Sequence, residues 1–332
     1  MLRLPPFRYV AAKSLDEAAR LLADYGARAL PVAGGTDLYP NMKRRQFTPE
    51  VLVGLRGLRE LRSIAGDPSQ GMAIGALTTL TEVSSHPTIC QVYPALAQAA
   101  GLVSAPQLRN VGTIGGNLCV DTRCNYYNQT EFWRHSIGYC MKKDGDVCLV
   151  APGSPRCWAI ASSDCAPALI SLSAQVRLVA PHGERVIPVA ALYQDDGIAY
   201  LAKAREEVLA EVLLPPANGW RSVYRKLRRR GAFDFPILGV AVALRQGDDG
   251  TVREARITLG AVASRPVEAI EAARILEGQR LTPEVIAAAA TAAAKPARPL
   301  DNADLTISYR KQLVPVFVRR ALEELATEGG HA

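Results

Sequence analysis

Several features that would mark a membrane, secreted or nucleic-acid-binding protein are scarce in this sequence. Phe, Tyr and Trp make up only 6% of the 332 residues, and the basic segments form no nucleic-acid-binding motif with interleaved aromatic side chains. No apolar run approaches the ~18 residues of a transmembrane helix, and the opening MLRLPPFRYV lacks the apolar core of a secretory signal. We therefore expect a cytoplasmic protein that binds neither nucleic acid nor membrane.

The composition is otherwise that of a globular protein with more than one core. The chain is 48% hydrophobic and 21% charged, which is ordinary for soluble domains, and 332 residues exceed what one core usually supports. The formal net charge is +7, with part of the excess in NMKRRQ and YRKLRRRG. Such an excess forms either a solvated basic face or a docking surface for an acidic partner.

The order of apolar patterns predicts an α+β protein with two domains. Residues 1–216 alternate short strands with helices, including a helix over Ser14–Gly26 with Ser14 as cap and Glu17 completing a capping box. Alternating residues over 169–180 predict a hairpin strand. Residues 217–332 read as antiparallel strands followed by helices.

Two glycine-rich segments adjoin strand-like sequence and predict a phosphate-binding clamp. The first is LPVAGGTDLYPNMK and the second is RNVGTIGGNLC. Glycines allow tight turns and close approach of a ligand, and both segments offer backbone amides and small polar side chains. Each segment alone is equally explained as a plain strand-to-helix turn. Two such segments together can form the halves of a clamp on a diphosphate.

Four of the seven cysteines fall within one segment, Cys124–Cys157. They stand at intervals of 16, 8 and 9 residues, without the close pairs typical of structural zinc. Disulfides conflict with a cytoplasmic location. An iron–sulfur cubane, a structural zinc ion and unligated thiols all remain possible from the spacing.

Several motifs, in the same order, resemble the FAD-binding flavoprotein subunits of molybdenum hydroxylases. AGGTDL and NVGTIGGNL match the two glycine loops of that family, and SSDCAPALISLSAQVRL matches its SD-x-x-PAL segment. YRKLRRRGAFDFPILGVAVAL and SYRKQLVPVFVRRAL resemble the opening and the last helix of its C-terminal domain. The resemblance implies a PCMH-type FAD-binding domain of two subdomains, followed by a C-terminal domain like that of the carbon monoxide dehydrogenase flavoprotein.

The resemblance also implies which residues bind FAD. Those of the glycine loops would hold the diphosphate, Asp164 would accept hydrogen bonds from ribose or adenine donors, and Lys226 would stabilise the anionic reduced flavin. Without the family, Asp164 reads as a helix N-cap and Lys226 as a surface cation. The implied set is Pro31, Val32, Ala33, Gly34, Gly35, Thr36, Asp37, Leu38, Val103, Thr113, Ile114, Gly115, Gly116, Asn117, Asp164, Val208 and Lys226.

The cysteine segment lies in an insertion, at about 121–161, where the family pattern normally runs almost directly from TIGGNL to SD-x-x-PAL. This resembles one branch, the flavoprotein subunits of 4-hydroxybenzoyl-CoA reductases, whose extra loop binds a 4Fe-4S cluster. The implied ligands are Cys124, Cys140, Cys148 and Cys157. The remaining cysteines, Cys90, Cys119 and Cys165, are expected to be buried hydrophobes.

The branch implies an electron-transfer subunit, with no catalytic residue for the substrate in this chain. Ferredoxin would deliver electrons, which pass between the 4Fe-4S cluster and FAD. A small subunit with 2Fe-2S clusters would carry them to a large subunit with molybdopterin, in a heterohexamer of two trimers. Two alternatives stay open. One is the flavoprotein subunit of a hydroxylase or dehydrogenase that uses NAD or a quinone, with zinc in the loop. The other is a non-enzymatic FAD- or nucleotide-binding module.

Overall fold

A computed structural model describes residues 2–328. The first subdomain is a small three-stranded parallel sheet with strand order β1-β3-β2. One helix packs on the sheet, and a short helix follows the first glycine loop. The elements are β1 (Arg8–Ala11), α1 (Leu15–Tyr25), β2 (Ala29–Val32), α2 (Leu38–Lys43) and β3 (Val51–Gly54).

Helix α1 begins as its sequence predicts, apart from one bond of the capping box. The Ser14 hydroxyl accepts a hydrogen bond from the Glu17 amide at 3.1 Å, which satisfies one donor of the first turn. The Glu17 carboxylate accepts from the amide of Lys13 at 2.6 Å rather than from that of Ser14. The helix buries Ala18, Ala19 and Leu22 and stops at Gly26.

The second subdomain is a five-stranded antiparallel sheet with order β4-β5-β8-β6-β7. Short helices and the cysteine insertion lie between its strands in the sequence. The elements are β4 (Ile64–Asp67), β5 (Gly71–Gly75), α3 (Leu80–Ser85), α4 (Pro87–Val92), α5 (Pro94–Leu102), α6 (Pro106–Arg109), α7 (Ile114–Leu118), α8 (Glu131–Ser136), α9 (Cys165–Ser171), β6 (Gln175–Ala180), β7 (Gly183–Pro188) and β8 (Val208–Leu214).

The strand predicted over 169–180 is wrong in its first half. Residues Cys165–Ser171 form α9, and all seven of them are buried. A helix buried on every side shows no amphipathic period, so its apolar run reads like a buried strand. The strand β6 begins only at Gln175.

The C-terminal domain is a four-stranded antiparallel sheet, order β12-β11-β10-β9, covered by three helices. This confirms the α+β class. The chain passes into it between Leu214 and Arg221, where no strand or helix is present. The elements are β9 (Arg221–Leu227), β10 (Leu238–Gln246), β11 (Val252–Gly260), β12 (Val267–Glu268), α10 (Ile270–Leu276), α11 (Pro283–Ala293) and α12 (Ile307–Glu328).

Helices α5 and α9 pack against the C-terminal sheet and join the two domains. A buried cluster of Ala95, Ala99, Ala168, Tyr224 and Ala241 forms the contact. Small side chains let the helices approach the strands closely, and only the Tyr224 ring needs extra room. Among residues 2–328, no helix is long and apolar enough to cross a membrane.

The cysteine insertion is closed at its base and rests on the C-terminal domain. Arg123 and Ile160 exchange two backbone hydrogen bonds of 2.9 and 2.8 Å, which close the base. Asn302 joins the insertion to the other domain, because its carbonyl accepts from the Asn125 amide and its side chain donates to the Trp158 carbonyl at 2.6 Å.

Candidate functional site

The structure brings the two glycine loops into direct contact. A methyl group added at Gly34 would lie 2.1 Å from the Val111 carbonyl oxygen, so no residue other than glycine fits there without displacing the second loop. Gly35 has a φ of +69°, in the region that favours glycine, and the ring of Tyr39 occupies the place of its side chain. The clamp predicted from the sequence therefore has both of its halves side by side.

The two loops use their backbone amides differently. Within residues 2–328, the amides of Gly34, Gly35 and Thr36 donate to no protein acceptor. They are therefore available to an anion. The first loop matches the prediction of available amides.

The second loop uses its amides for its own structure. Those of Ile114 and Gly115 donate to the carbonyls of Thr78 and Ala76, both at 3.0 Å. The Gly116 amide donates to the Thr113 hydroxyl at 3.1 Å, and that of Asn117 donates to the Thr113 carbonyl. The expectation of open amides is wrong for Ile114 to Asn117, because Thr113 caps α7 and the segment after β5 accepts from the other two amides.

Asn117 ties the second loop to the SSDC segment. Its side-chain oxygen accepts from the Ser163 hydroxyl at 2.7 Å and from the Cys165 amide at 3.1 Å. Asp164, which lies between Ser163 and Cys165 in the sequence, is thereby held next to the second glycine loop. Asn117 therefore acts as a structural link in the chain as it stands.

Asp164 and Lys226 meet across the domain interface as a buried ion pair. Their Oδ2–Nζ distance is 2.9 Å, and the side chains are 3% and 0% exposed. Lys226 also donates to the carbonyls of Leu102 and Asp234, and the Tyr224 hydroxyl donates to Asp164 Oδ1 at 2.8 Å. Burial raises the pKa of Asp164, and the adjacent Lys226 ammonium opposes that shift.

These contacts test the interpretations of Lys226 as a surface cation and of Asp164 as a helix N-cap. Lys226 is not a surface cation, and Asp164 makes no side-chain capping bond at the start of α9. Both carboxylate oxygens of Asp164 already accept hydrogen bonds from the C-terminal domain. A ribose or adenine donor would therefore share an oxygen with Tyr224 or Lys226.

The remaining residues of the expected flavin set differ in burial. Val208 is 3% exposed within the core of the first subdomain, and Val32 is equally buried. Val103 is half-buried at the end of α5, where its carbonyl accepts from Arg109 at 2.8 Å. Val103 therefore has an accessible surface, whereas Val208 and Val32 are buried.

Three of the four cysteines of the insertion, Cys124, Cys140 and Cys157, share one buried cluster, and Cys148 lies near Cys157. Cys124, Cys140, Cys148 and Cys157 are 5–8% exposed, and all four are free thiols. Burial raises the pKa of Cys124 to about 12 and that of Cys157 to about 11. Charge on the neighbouring loop cysteines contributes to the raised pKa values of both thiols. Such thiols ionise readily only beside a cation.

The surroundings of the thiols are apolar and aromatic. Tyr127, 2% exposed, and Ala159 belong to the same buried cluster, and Tyr126 packs against it. Gly197 lies so close that an added methyl would stand 2.7 Å from the Cys157 sulfur. In the part of the chain described by the structure, no three His, Cys, Asp or Glu side chains are arranged to hold a metal ion.

The other cysteines and His135 lie apart from this cluster. Cys165 is fully buried, as predicted. Cys90 is exposed, contrary to expectation, because α4 carries it on its outer side, where its thiol contacts the Ser84 carbonyl at 3.2 Å. Cys119 is half-buried. His135 is exposed and stacks edge-on against Tyr139.

Two buried cations of the insertion were not predicted from the sequence. Lys142 donates to Asp121 Oδ1 at 2.7 Å, and both side chains are 5% exposed. Its ammonium also lies 4.7 Å from the Tyr127 ring centroid. Arg123 pairs with Asp37 of the first glycine loop and stacks on Phe235 at 4.3 Å. Nothing in the local sequence identifies these partners, although the position of Arg123 next to Cys124 is a hint.

The comparisons with known proteins agree with this architecture. The family described as the FAD binding domain in molybdopterin dehydrogenase matches residues 5–217, and the CO dehydrogenase flavoprotein C-terminal domain matches residues 222–325. The chain is 31% identical over 320 residues to the carbon monoxide dehydrogenase medium chain of Hydrogenophaga pseudoflava, covering 96% of each chain. It is 32% identical over 283 residues to the aldehyde oxidoreductase FAD-binding subunit of Escherichia coli, covering 80% of this chain and 85% of the relative.

Solved structures show the same fold. Carbon monoxide dehydrogenase from Hydrogenophaga pseudoflava superimposes with a TM-score of 0.78 at 31% identity, covering 97% of each chain. The two-subdomain FAD-binding domain and the C-terminal domain expected from the sequence are thereby confirmed. The chain belongs to the FAD-binding medium subunits of the molybdenum hydroxylase family, and is thus an oxidoreductase subunit.

Proposed function

We propose that this chain is the electron-transfer subunit of a 4-hydroxybenzoyl-CoA reductase and carries both FAD and a 4Fe-4S cluster. The observation that carries the proposal is the burial of four free thiols, all from one insertion, in a single region of the FAD-binding domain. Four thiolates are the ligand set of such a cluster. A segment with only a structural role needs no such set of thiols.

The spacing of the four cysteines along the chain suits a cluster better than zinc. Structural zinc sites usually take their thiolates from closely spaced cysteine pairs, whereas these four stand at intervals of 16, 8 and 9 residues. Iron–sulfur clusters take four thiolates from more varied spacings. Cys124, Cys140, Cys148 and Cys157 would be the ligands.

The rest of the insertion would shield the cluster. Tyr127 and Ala159 close its buried side, and exclusion of water tunes the potential of an iron–sulfur centre. The Lys142–Asp121 pair and the Arg123–Asp37 pair would hold the insertion against the FAD-binding domain. These ion pairs fix the distance over which electrons travel between the two sites.

The first glycine loop and the domain interface would hold FAD, which exchanges electrons singly or in pairs when bound. The amides of Gly34, Gly35 and Thr36 have no acceptor in the part of the protein that the structure describes, and they suit a diphosphate. Lys226 supplies a buried positive charge at the interface. That charge would favour the reduced, anionic flavin.

The substrate chemistry would occur in a partner chain. There a molybdopterin large subunit would remove the para hydroxyl of 4-hydroxybenzoyl-CoA, fed through a 2Fe-2S small subunit. Reduced ferredoxin would be the donor, and two trimers would form a heterohexamer. The net charge of +7 favours an acidic electron donor.

The test uses the chain purified without oxygen. We expect FAD and four irons with four acid-labile sulfides per chain, and an EPR signal after dithionite reduction. Cys140→Ser should lose the signal and the iron while keeping FAD. Cys90→Ser, which changes an exposed cysteine outside the insertion, is the matched control and should keep both cofactors.

The outcomes separate the alternatives. One zinc per chain without sulfide would overturn the cluster and leave a flavoprotein subunit of another kind. Reduction of the flavin in the full complex by NADH, but not by reduced ferredoxin, would overturn the assigned donor. A chain without any bound flavin would support the nucleotide-binding module instead.

A further inference from the structure

We propose that Arg56 and Arg62 neutralise the FAD diphosphate at the first glycine loop. This inference rests on the proposed FAD site and adds two side chains that the sequence comparison did not indicate. The two arginines come from the segment after β3, far in sequence from both glycine loops. Their role follows from where that segment lies and from the charge balance of the site.

The topology places Arg56 beside the first glycine loop. Strands β2 and β3 are parallel neighbours, and both run towards the same edge of the sheet. The Leu55 amide donates to the Val32 carbonyl at 2.9 Å, so the two chain segments leave the sheet together. Ligands of such sheets bind at the carboxyl ends of the strands.

A crevice of about 60 Å³ lies where the two glycine loops meet. The residues that line it include Gly34, Val111, Thr113, Arg56 and Arg62. Among the described residues, no carboxylate lines it. The crevice therefore has an excess of positive charge and can offer an anion guanidinium donors.

The charge balance requires a cation at this place. The carboxylate of Asp37, the acidic residue of the first loop, is already paired with Arg123. Helices α2 and α7 span six and five residues, too short for their dipoles to balance two phosphate charges. The arginines of the crevice are left to do so.

Both arginines are exposed on the segment after β3. Arg62 donates to the Arg56 carbonyl at 2.8 Å, which fixes the turn that carries both. Within residues 2–328, neither forms an ion pair with a carboxylate. An arginine without a carboxylate partner keeps its full charge for a bound anion.

The test compares two ligands that differ in the diphosphate. Dissociation constants of FAD and of riboflavin are measured by fluorescence on the deflavinated full chain. Arg56→Gln and Arg62→Gln should each raise the dissociation constant of FAD about ten- to hundredfold. The dissociation constant of riboflavin should not change. Arg56→Lys should recover part of the loss, because the charge returns without the fork of donors.

Arg59→Gln is the matched control. Arg59 is exposed in the same turn and does not line the crevice. Arg59→Gln should therefore leave the affinities for FAD and for riboflavin unchanged. Circular dichroism shows whether each variant is folded. Unchanged FAD binding in folded Arg56→Gln and Arg62→Gln would overturn the inference while leaving the flavin assignment intact. Absence of FAD binding by the unsubstituted chain would instead overturn the proposed cofactor.

Discussion

The two glycine loops are similar in sequence and do opposite things with their backbone. In the first, the amides of Gly34, Gly35 and Thr36 donate to no protein acceptor among the described residues. In the second, the amides from Ile114 to Asn117 all donate to protein oxygens. Glycines therefore indicate close approach of chains, whereas the available acceptors decide whether the amides remain free for a ligand.

The cause of the difference lies in the neighbours of each loop. Thr113 is extended and caps α7 with its hydroxyl, and the segment after β5 supplies two carbonyls. Asp37, at the equivalent place before α2, makes no side-chain cap and pairs with Arg123 instead. The first loop therefore keeps its amides available, whereas the second loop uses its amides for its own structure.

The largest effect on stability is expected at the domain interface, which contacts the second loop. Lys226→Met leaves the Asp164 carboxylate buried without its cation. We expect a loss of about 3–5 kcal/mol in the free energy of unfolding, measured by urea denaturation. Lys226→Met combined with Asp164→Leu should recover much of it. A loss below about 1 kcal/mol in the single variant would show that the pair is not buried as described.

The next effect separates the loops directly. Gly34→Ala forces a methyl group to within 2.1 Å of the Val111 oxygen, so the loops must part. We expect loss of bound FAD and a destabilisation of about 1–3 kcal/mol. The control is Gly116→Ala, whose added methyl meets the Thr113 hydroxyl at 3.0 Å at an exposed position, and FAD content should hold there. Equal retention of FAD in both variants would contradict the comparison.

The smallest effect tests the supporting role of the second loop. Thr113→Val removes the hydroxyl that caps α7 while keeping the shape of the side chain. We expect a loss of about 1 kcal/mol in stability, seen in thermal unfolding. FAD affinity should change much less than in Gly34→Ala. If Thr113→Val weakened FAD binding by more than it lowered the free energy of unfolding, the ligand contact would lie at the second loop instead.

Local features of the fold were predictable from the sequence, and long-range pairings were not. Ser14 caps its helix as the sequence indicates, because capping needs only residues three positions apart. The fully buried α9 was misread because it has no amphipathic period. The partners of Asp164 and Arg123 lie 62 and 86 residues away, and no local rule specifies them.

The site was predictable to a similar degree. The contact of Gly34 with Val111 agrees with the expectation that the loops form a clamp. The bonding of the second loop depends on carbonyls at Ala76 and Thr78, which come from another strand end. The four cysteines were recognised as a set by spacing. That they share one buried region follows from the closure of the insertion by Arg123 and Ile160.

The most direct test of the difference between the loops is amide hydrogen exchange with and without FAD. Because the amides of Gly34, Gly35 and Thr36 are available to a ligand, binding of FAD should slow their exchange. At Gly115 and Gly116 exchange should already be slow in the deflavinated chain and change little. Equal slowing in both loops, or slowing confined to the second loop, would contradict the account.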